Sequence, residues 1–170
     1  MEQHALFSER QRFMQWWVWM MLVGLNILFI YGLYKQLIIG EPFGTNPASD
    51  TALILITIFI ILLTVFFLST RLETQIRAAG IYVRFFPIHL SYRYFAWNEI
   101  RKLYIRKYSS IKEFGGWGIR YGIGGRGKAY NVTGGSGLQL EFIDNKKLLI
   151  GTQKPEELEL VLNNLGKLKQ

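Results

Sequence analysis

The chain has no cysteine. Disulfides, thiolate nucleophiles and Cys-based metal sites are therefore excluded, and the composition fits a reducing compartment. Histidine is almost absent as well. His4 lies in an N-terminal tail and His89 close to Pro87, so no His/Asp/Glu cluster has metal-ligand spacing and no Ser-His-Asp set forms. Acidic side chains are few, 12 against 20 Lys and Arg, for a net charge of +8. Charge is missing altogether from two long stretches, Trp16–Leu33 and Ala52–Leu68. That last absence organises the reading of everything else.

Ala52–Leu68 is uncharged and has neither Gly nor Pro; its only polar groups are the hydroxyls of Thr57 and Thr64. A bilayer core takes about 20 apolar residues in helix, with a lower limit of about 17. A buried helix of a soluble protein would normally carry a polar stripe. Trp16–Leu33 has Trp16, Trp17 and Trp19 at one end and Tyr31 and Tyr34 at the other, the aromatic-belt arrangement of a span. A signal peptide would have a shorter apolar region and a small-residue cleavage site. Leu37, Ile38 and Ile39 follow instead, so the first helix is expected to stay uncleaved. Between the two lies GEPFGTNPASD, Gly40–Asp50, a helix-breaking link. The expected organisation is a tail over 1–15, an antiparallel hairpin over 16–69 (spans 16–38 and 52–69, external link 40–50) and a domain over 70–170. Arg10 and Arg12 precede the first span and Arg71, Arg77 and Arg84 follow the second, whereas Lys35 alone lies between. The positive-inside rule then assigns both termini to the cytoplasmic side of the cell (plasma) membrane.

Beyond Leu68 the apolar period changes to two. Leu72, Thr74 and Ile76 alternate with charged and polar residues, Ala79-Gly80 turns, and Ile81, Val83 and Phe85 alternate in their turn. Further strands are expected at Tyr92–Trp97, Ile100–Lys107, Trp117–Tyr121, Lys128–Val132, Leu138–Phe142 and Lys147–Gly151. A last helix opens at Pro155, with Glu156 and Glu157 in its first turn and Leu158, Val161, Leu162 and Leu165 as one apolar stripe. The expected fold class is a membrane α-hairpin followed by a mostly-β domain. That domain is expected to have about seven antiparallel strands in a partly open barrel and a C-terminal capping helix.

Three segments carry a resemblance: Ala96-Trp97-Asn98-Glu99-Ile100 before a basic strand, Gly116-Trp117-Gly118-Ile119-Arg120, and Leu148-Leu149-Ile150-Gly151-Thr152 followed by Pro155-Glu156-Glu157-Leu158. With the element order, they resemble the bacterial PH-like domains that follow a transmembrane hairpin. The whole chain resembles a prokaryotic family of small two-span membrane proteins. The resemblance implies a fold and a location and no activity. Phosphoinositide-binding PH domains set several basic residues around the first hairpin loop. Here that loop is read as Ala78-Ala79-Gly80 with only Arg77 and Arg84 nearby, so their lipid specificity is not carried over.

Gly115–Gly137 contains ten glycines, and Gly122–Gly127 matches G-x-G-x-x-G. That pattern needs a helix after it to meet a phosphate, and AYNVTGG is not a helix start. Ala129 also lacks the hydroxyl a Walker loop would give to Mg²⁺. No cofactor is implied. A loop bearing Trp117, Arg120, Arg126 and Lys128 can instead be a contact surface. The basic run Arg101, Lys102, Arg106, Lys107 and Lys112, interleaved with Tyr104 and Tyr108, has three readings: a solvated face, a contact for anionic lipid headgroups, or a single-strand nucleic-acid binder. Nucleic acid is the least favoured. The candidate contact residues are thus Lys102, Arg106, Lys112, Trp117, Arg120, Arg126 and Lys128. The expected function is a non-catalytic, membrane-anchored adaptor whose partner is anionic lipid or a protein, including a second copy of itself. The competing reading is a ligand sensor or enzyme using the Gly-rich loop 115–137.

Overall fold

The computed structural model describes residues 4–122 and 124–168. The chain divides into two compact units. One is Met14–Ser69, and the other joins Thr70 onward to the segment ending at Phe13.

The first unit is a helical hairpin. Helix α1, Trp16–Leu33, continues through one π-helical turn, Tyr34–Ile39, and stops at Gly40, whose φ of 82° ends the helix. Helix α2 is Asp50–Ser69. Both are long and apolar enough to cross a bilayer. The link folds back onto α1. Phe43 packs so closely on Gly32 that a Cβ there would lie 2.8 Å from its ring. Gln36 Nε2 donates to Ala48 O and Asp50 Oδ1. Val18, Leu22, Leu53, Thr57 and Ile60 are buried within the hairpin, while Met20, Ile27, Leu55, Phe59 and Leu62 are all more than 60% exposed.

Asn26 Nδ2 donates to Thr64 Oγ1 at 2.8 Å, and that hydroxyl donates back to Ile60 O. Counting back from Leu68 puts Asn26 near Thr57, and this needs correction. The count sets Trp16 level with Leu68 and so brings Asn26 to Ile58; the bond to Thr64 departs from that register by six residues.

The second unit is mostly β, with nine strands among the described residues. Strand β1 is Phe7–Arg12, β2 Arg71–Arg77, β3 Gly80–Phe86 and β4 Arg93–Ala96; they form one antiparallel sheet in that order. Strands β5 (Ile100–Lys107), β6 (Gly118–Tyr121), β7 (Lys128–Asn131), β8 (Ser136–Phe142) and β9 (Lys147–Thr152) form a second, ordered β5-β8-β9-β7-β6. Its β7–β9 pair is parallel. The expectation of about seven antiparallel strands is corrected to nine among the described residues, one pair of them parallel, in two sheets that do not form a closed barrel. Their inward residues share one core: Phe7, Leu72, Ile76, Ile81, Val83 and Phe85 from the first, Leu103, Leu138, Leu140, Leu148 and Ile150 from the second. Helix α4, Pro155–Asn164, adds Leu158 and Leu162, both fully buried, with Val161 and Leu165 against the same core. The short helix α3, Ser110–Phe114, has the Ser109 side chain as its N-cap; its Phe114 packs with Tyr108, Ala129 and Leu149 in a second, smaller cluster.

The main departure from the sequence reading is β1. The tail expected over 1–15 supplies a core strand instead, paired with β2 from Phe7↔Ile76 to Arg12↔Arg71. Its inward positions are Phe7, Glu9 and Gln11, so the apolar alternation that marks a strand is spoiled by two polar residues. Those two are used. Gln11 Nε2 donates to Gly151 O at 2.7 Å, and Glu9 accepts from Thr152 Oγ1 and the Gln153 backbone N–H, both at 2.7 Å. The first strand thus ties the first sheet to β9 of the second. The Ala78–Gly80 turn joins the second and third strands, not the first pair. The connection between the first pair is the helical hairpin itself.

Candidate contact surface

The basic strand β5 is built as its alternation requires. Leu103 is 1% exposed on the core side, while Lys102, Tyr104 and Arg106 lie opposite Glu141, Gln139 and Gly137. That outer face is largely neutralised within the domain. Tyr104 Oη donates to Glu141 at 3.2 Å, and Arg101 and Lys147 each lie 3.6 Å from the same carboxylate. Arg106 donates to Gln139 Oε1 and, at 2.8 Å, to Glu113. Arg126 approaches that same Glu113 at 4.0 Å. Burial alone would raise the Glu113 carboxyl; the Ser109 backbone N–H and the charge and hydrogen bond of Arg106 outweigh it and hold the group below the usual range. Lys112 is exposed on α3.

The Gly-rich excursion is a folded hairpin. Gly115 caps α3 at φ 68°, Arg120 Nε donates to Trp117 O, and Gly122 N–H closes the β6–β7 turn onto Gly127 O. Gly127 sits at φ 80°, and a Cβ there would lie 2.2 Å from Lys147 O, so the turn accepts no other residue. A strand, not a helix, follows it. Lys128 opens that strand with its ammonium 5.3 Å from the rings of both Tyr121 and Tyr130. The seven sequence candidates therefore fall in two groups: Lys102, Arg106, Lys112 and Arg126 around the outer side of β5 and α3, and Trp117, Arg120 and Lys128 along the β6–β7 hairpin.

A second basic surface escaped the sequence reading. The outer side of the first sheet carries Arg10 and Arg12 from β1, Arg71 and Arg77 from β2, and Arg84 from β3, around one carboxylate, Glu73. Glu73 is 8% exposed. It takes Arg84 Nε at 2.9 Å, Arg71 Nε at 2.8 Å, Arg10 Nε at 3.5 Å and the Tyr92 hydroxyl at 2.9 Å. Burial opposes its ionisation, but the hydrogen bonds of Arg84 and Tyr92 and the charges of Arg84 and Arg71 prevail, and its carboxyl stays below the ordinary value. The guanidinium groups also stack on rings, Arg71 over Phe86 at 4.4 Å, Arg84 over Tyr92 at 4.6 Å and Arg77 over Tyr82 at 4.7 Å. The available signal was the pair Arg10 and Arg12 in Ser8–Arg12, two positions apart and so on one face of a strand. It is legible only once that segment is taken as a strand.

The turn after β3 hangs from one end of this surface. His89 N–H donates to Phe85 O at 2.8 Å and Arg84 Nη1 to Leu90 O at 3.4 Å. His89 faces inward, its ring 5.3 Å from that of Tyr130. Ile88 and Leu90, on either side of it, are 56% and 76% exposed. Burial, then the positive charges of Arg93 and Lys128, hold the His89 imidazole below its ordinary value.

Among the described residues no group of three or more His, Asp or Glu could hold a metal ion. A shallow cleft of about 570 Å³ lies between Phe95, Phe142, Ile143 and the Glu99 and Asp144 side chains. No protein-family model matches the chain, and no curated protein does.

Proposed function

We propose that the chain is a non-catalytic, membrane-anchored adaptor. Two antiparallel spans in the cell membrane hold a PH-like module at the cytoplasmic face. There it contacts a protein partner, a second copy of itself, or anionic lipid. The observation that carries this reading is the position of the hairpin between β1 and β2. Two strands paired side by side belong to one folded body. A chain that leaves that body and returns to it would cross a bilayer an even number of times, which supports two spans with both termini on one side. The exposure of Ile, Leu, Met and Phe on the sides of α1 and α2 turned away from each other supports lipid as their solvent, since a soluble domain rarely exposes so continuous an apolar surface. Cytoplasmic orientation is supported by the arginines flanking both helices, against a single Lys35 at the link end that is itself 3.5 Å from Glu41.

The PH-like assignment is supported by topology. With the β6–β7 hairpin set aside, a four-stranded sheet is followed by the antiparallel meander β5-β8-β9 and one helix on the core. Those seven strands include β1, which the sequence reading took as a tail, and leave out the pair over Gly118–Tyr121 and Lys128–Asn131; the helix after the last strand, packed on the core, is the feature that supports the resemblance.

The absence of cysteine makes the test direct. Single cysteines replace Ala48 in the link and Lys112 on α3, and intact cells are treated with a membrane-impermeant maleimide. Reaction at position 48 alone is expected, with position 112 reacting only after permeabilisation; the reverse pattern overturns the orientation. Photo-cross-linking from position 112 in native membranes then tests the adaptor role. A discrete protein adduct lost on Lys102→Glu supports it, and adducts to lipid alone restrict the module to a membrane partner.

A further inference from the structure

We infer a second membrane contact in this chain: the turn Pro87–Tyr92 dips Ile88 and Leu90 into the bilayer surface, and the arginines at that end of the first sheet meet lipid phosphates. The inference rests on the reading of α1 and α2 as spans.

Three strand ends coincide. Arg12, Arg71 and Phe86 are register partners across β1, β2 and β3, so the chain leaves β1, enters β2 and leaves β3 at one end of the sheet. Only Thr70 separates α2 from β2. At about 3.5 Å per residue, Arg71 stays within roughly 7 Å of the end of the second span. That limit comes from the covalent chain alone and holds at any angle between the two units. The turn after Phe86 hangs from this same end.

Its chemistry suits an interface. Leu90, at 76%, is more exposed than any large apolar residue named for the two helices, the nearest being Ile38 at 74% and Trp16 at 72%. It is not loosely held. The backbone bonds of His89 and the Arg84 contact to Leu90 O fix the turn, and His89 is turned inward onto Tyr130. Ile88 and Leu90 are thereby presented outward as a pair. Behind them stand Arg12, Arg71 and Arg84, the rings of Phe86 and Tyr92, and one carboxylate, Glu73, already shared among three arginines. Two apolar tips ahead of a row of guanidinium and aromatic groups is the order in which a bilayer presents hydrocarbon and then phosphate. At the opposite end of the first sheet, Phe95 stacks on Phe142 and Trp97 Nε1 donates to Ala78 O. The exposed Ile143 next to Phe142 therefore serves as a control of similar apolarity.

The test uses the full chain in vesicles containing anionic lipid. Four single-cysteine variants, Ile88→Cys, Leu90→Cys, Ile143→Cys and Phe59→Cys, carry an environment-sensitive fluorophore, and lipids bearing a nitroxide near the headgroup or within the acyl chain are added. Labels at 88 and 90 are expected to shift to the blue and lose emission to the shallow nitroxide, position 143 to do neither, and position 59 to be quenched by the deep nitroxide. Adding Arg12→Gln to Leu90→Cys should reduce quenching in anionic vesicles and leave it unchanged in neutral ones. Quenching at 59 with positions 88 and 90 behaving like 143 overturns this inference and leaves the spans intact. Absence of quenching at 59 overturns the span reading itself. A blue shift at 88 and 90 without quenching means that a protein covers the turn, which also overturns the inference.

Discussion

Replacing Phe7 by Ala should destabilise a domain whose other fully buried core residues lie more than sixty positions away. Phe7 is 2% exposed and packs in one cluster with Leu72, Ile76, Ile81 and the apolar face of α4. A buried Phe→Ala change costs about 3–5 kcal/mol, against a total stability of about 5–15 kcal/mol for a domain of this kind. Ser8→Ala, on the exposed side of the same strand, should stay within about 0.5 kcal/mol. The assay is amide hydrogen exchange on the full chain in lipid nanodiscs. Amides in both Arg71–Arg77 and Lys147–Thr152 should exchange about a hundredfold faster or more in Phe7→Ala, because Glu9 and Gln11 couple β1 to β9 as well as to β2. Amides of α2 should not change. The same reasoning applies to truncation. Residues 70–170 alone lack β1 and should fail to fold, whereas residues 4–12 joined to Arg71 by a short turn should fold without the hairpin. Exchange in the two sheets that is indifferent to Phe7→Ala, or a stable 70–170 fragment, would refute the account of β1 as a core strand.

Glu73 supplies a pH dependence with a definite sign. Its carboxyl is held below the ordinary 4.5, so its stabilisation is complete above about pH 4.5 and is lost as pH falls through the lower folded value. Glu73→Gln should cost about 1–3 kcal/mol at neutral pH and flatten the acid limb of a stability–pH titration. His89 is also held below its ordinary 6.5. The unfolded chain therefore binds the proton first, stability is full above about pH 6.5 and falls below it, and His89→Gln should remove that slope. In the hairpin, Asn26→Leu and Thr64→Val in a double-mutant cycle should show a coupling of about 0.6–2 kcal/mol, measured by reversible unfolding in micelles; Thr57→Val should show none with Asn26.

Most of the elements could be read from the sequence, and the reasons are particular. Ile81, Val83 and Phe85 alternate without interruption, and β3 lies where that alternation puts it. Leu158, Val161, Leu162 and Leu165 mark α4 equally well. Strand β5 begins and ends at the expected residues, Ile100 and Lys107. The largest failure comes from polar residues in inward positions. Glu9 and Gln11 occupy β1 sites where an apolar pattern would have revealed a strand, because their partners are backbone and hydroxyl groups of β9, some 140 residues away. With β1 unseen, the arginine surface around Glu73 could not be assembled, since two of its five arginines come from that strand. Sheet partnership was equally hidden. Nothing local in Lys128–Asn131 says that it runs parallel to β9. Of the candidate contact residues, Arg106 and Arg126 looked free because Glu113 lies in a helical turn that the glycines on its C-terminal side obscured.

A domain whose first strand is made before two long apolar helices and whose second is made after them has an assembly order imposed on it. During synthesis β1 emerges first and finds no partner until both helices have been produced, so Phe7 stays uncovered for the next sixty residues of translation. Pairing Arg12 with Arg71 in an unanchored chain would require closing a loop of that length. Two helices inserted as an antiparallel pair, with axes about 8–10 Å apart, bring the two strands together beforehand. If only one helix inserts, the strands end on opposite sides of the bilayer and the core cannot close. On the proposed reading of the two helices as spans, folding of the β domain acts as a proofreading step on insertion, and a misinserted chain betrays itself to proteases by an unfinished sheet.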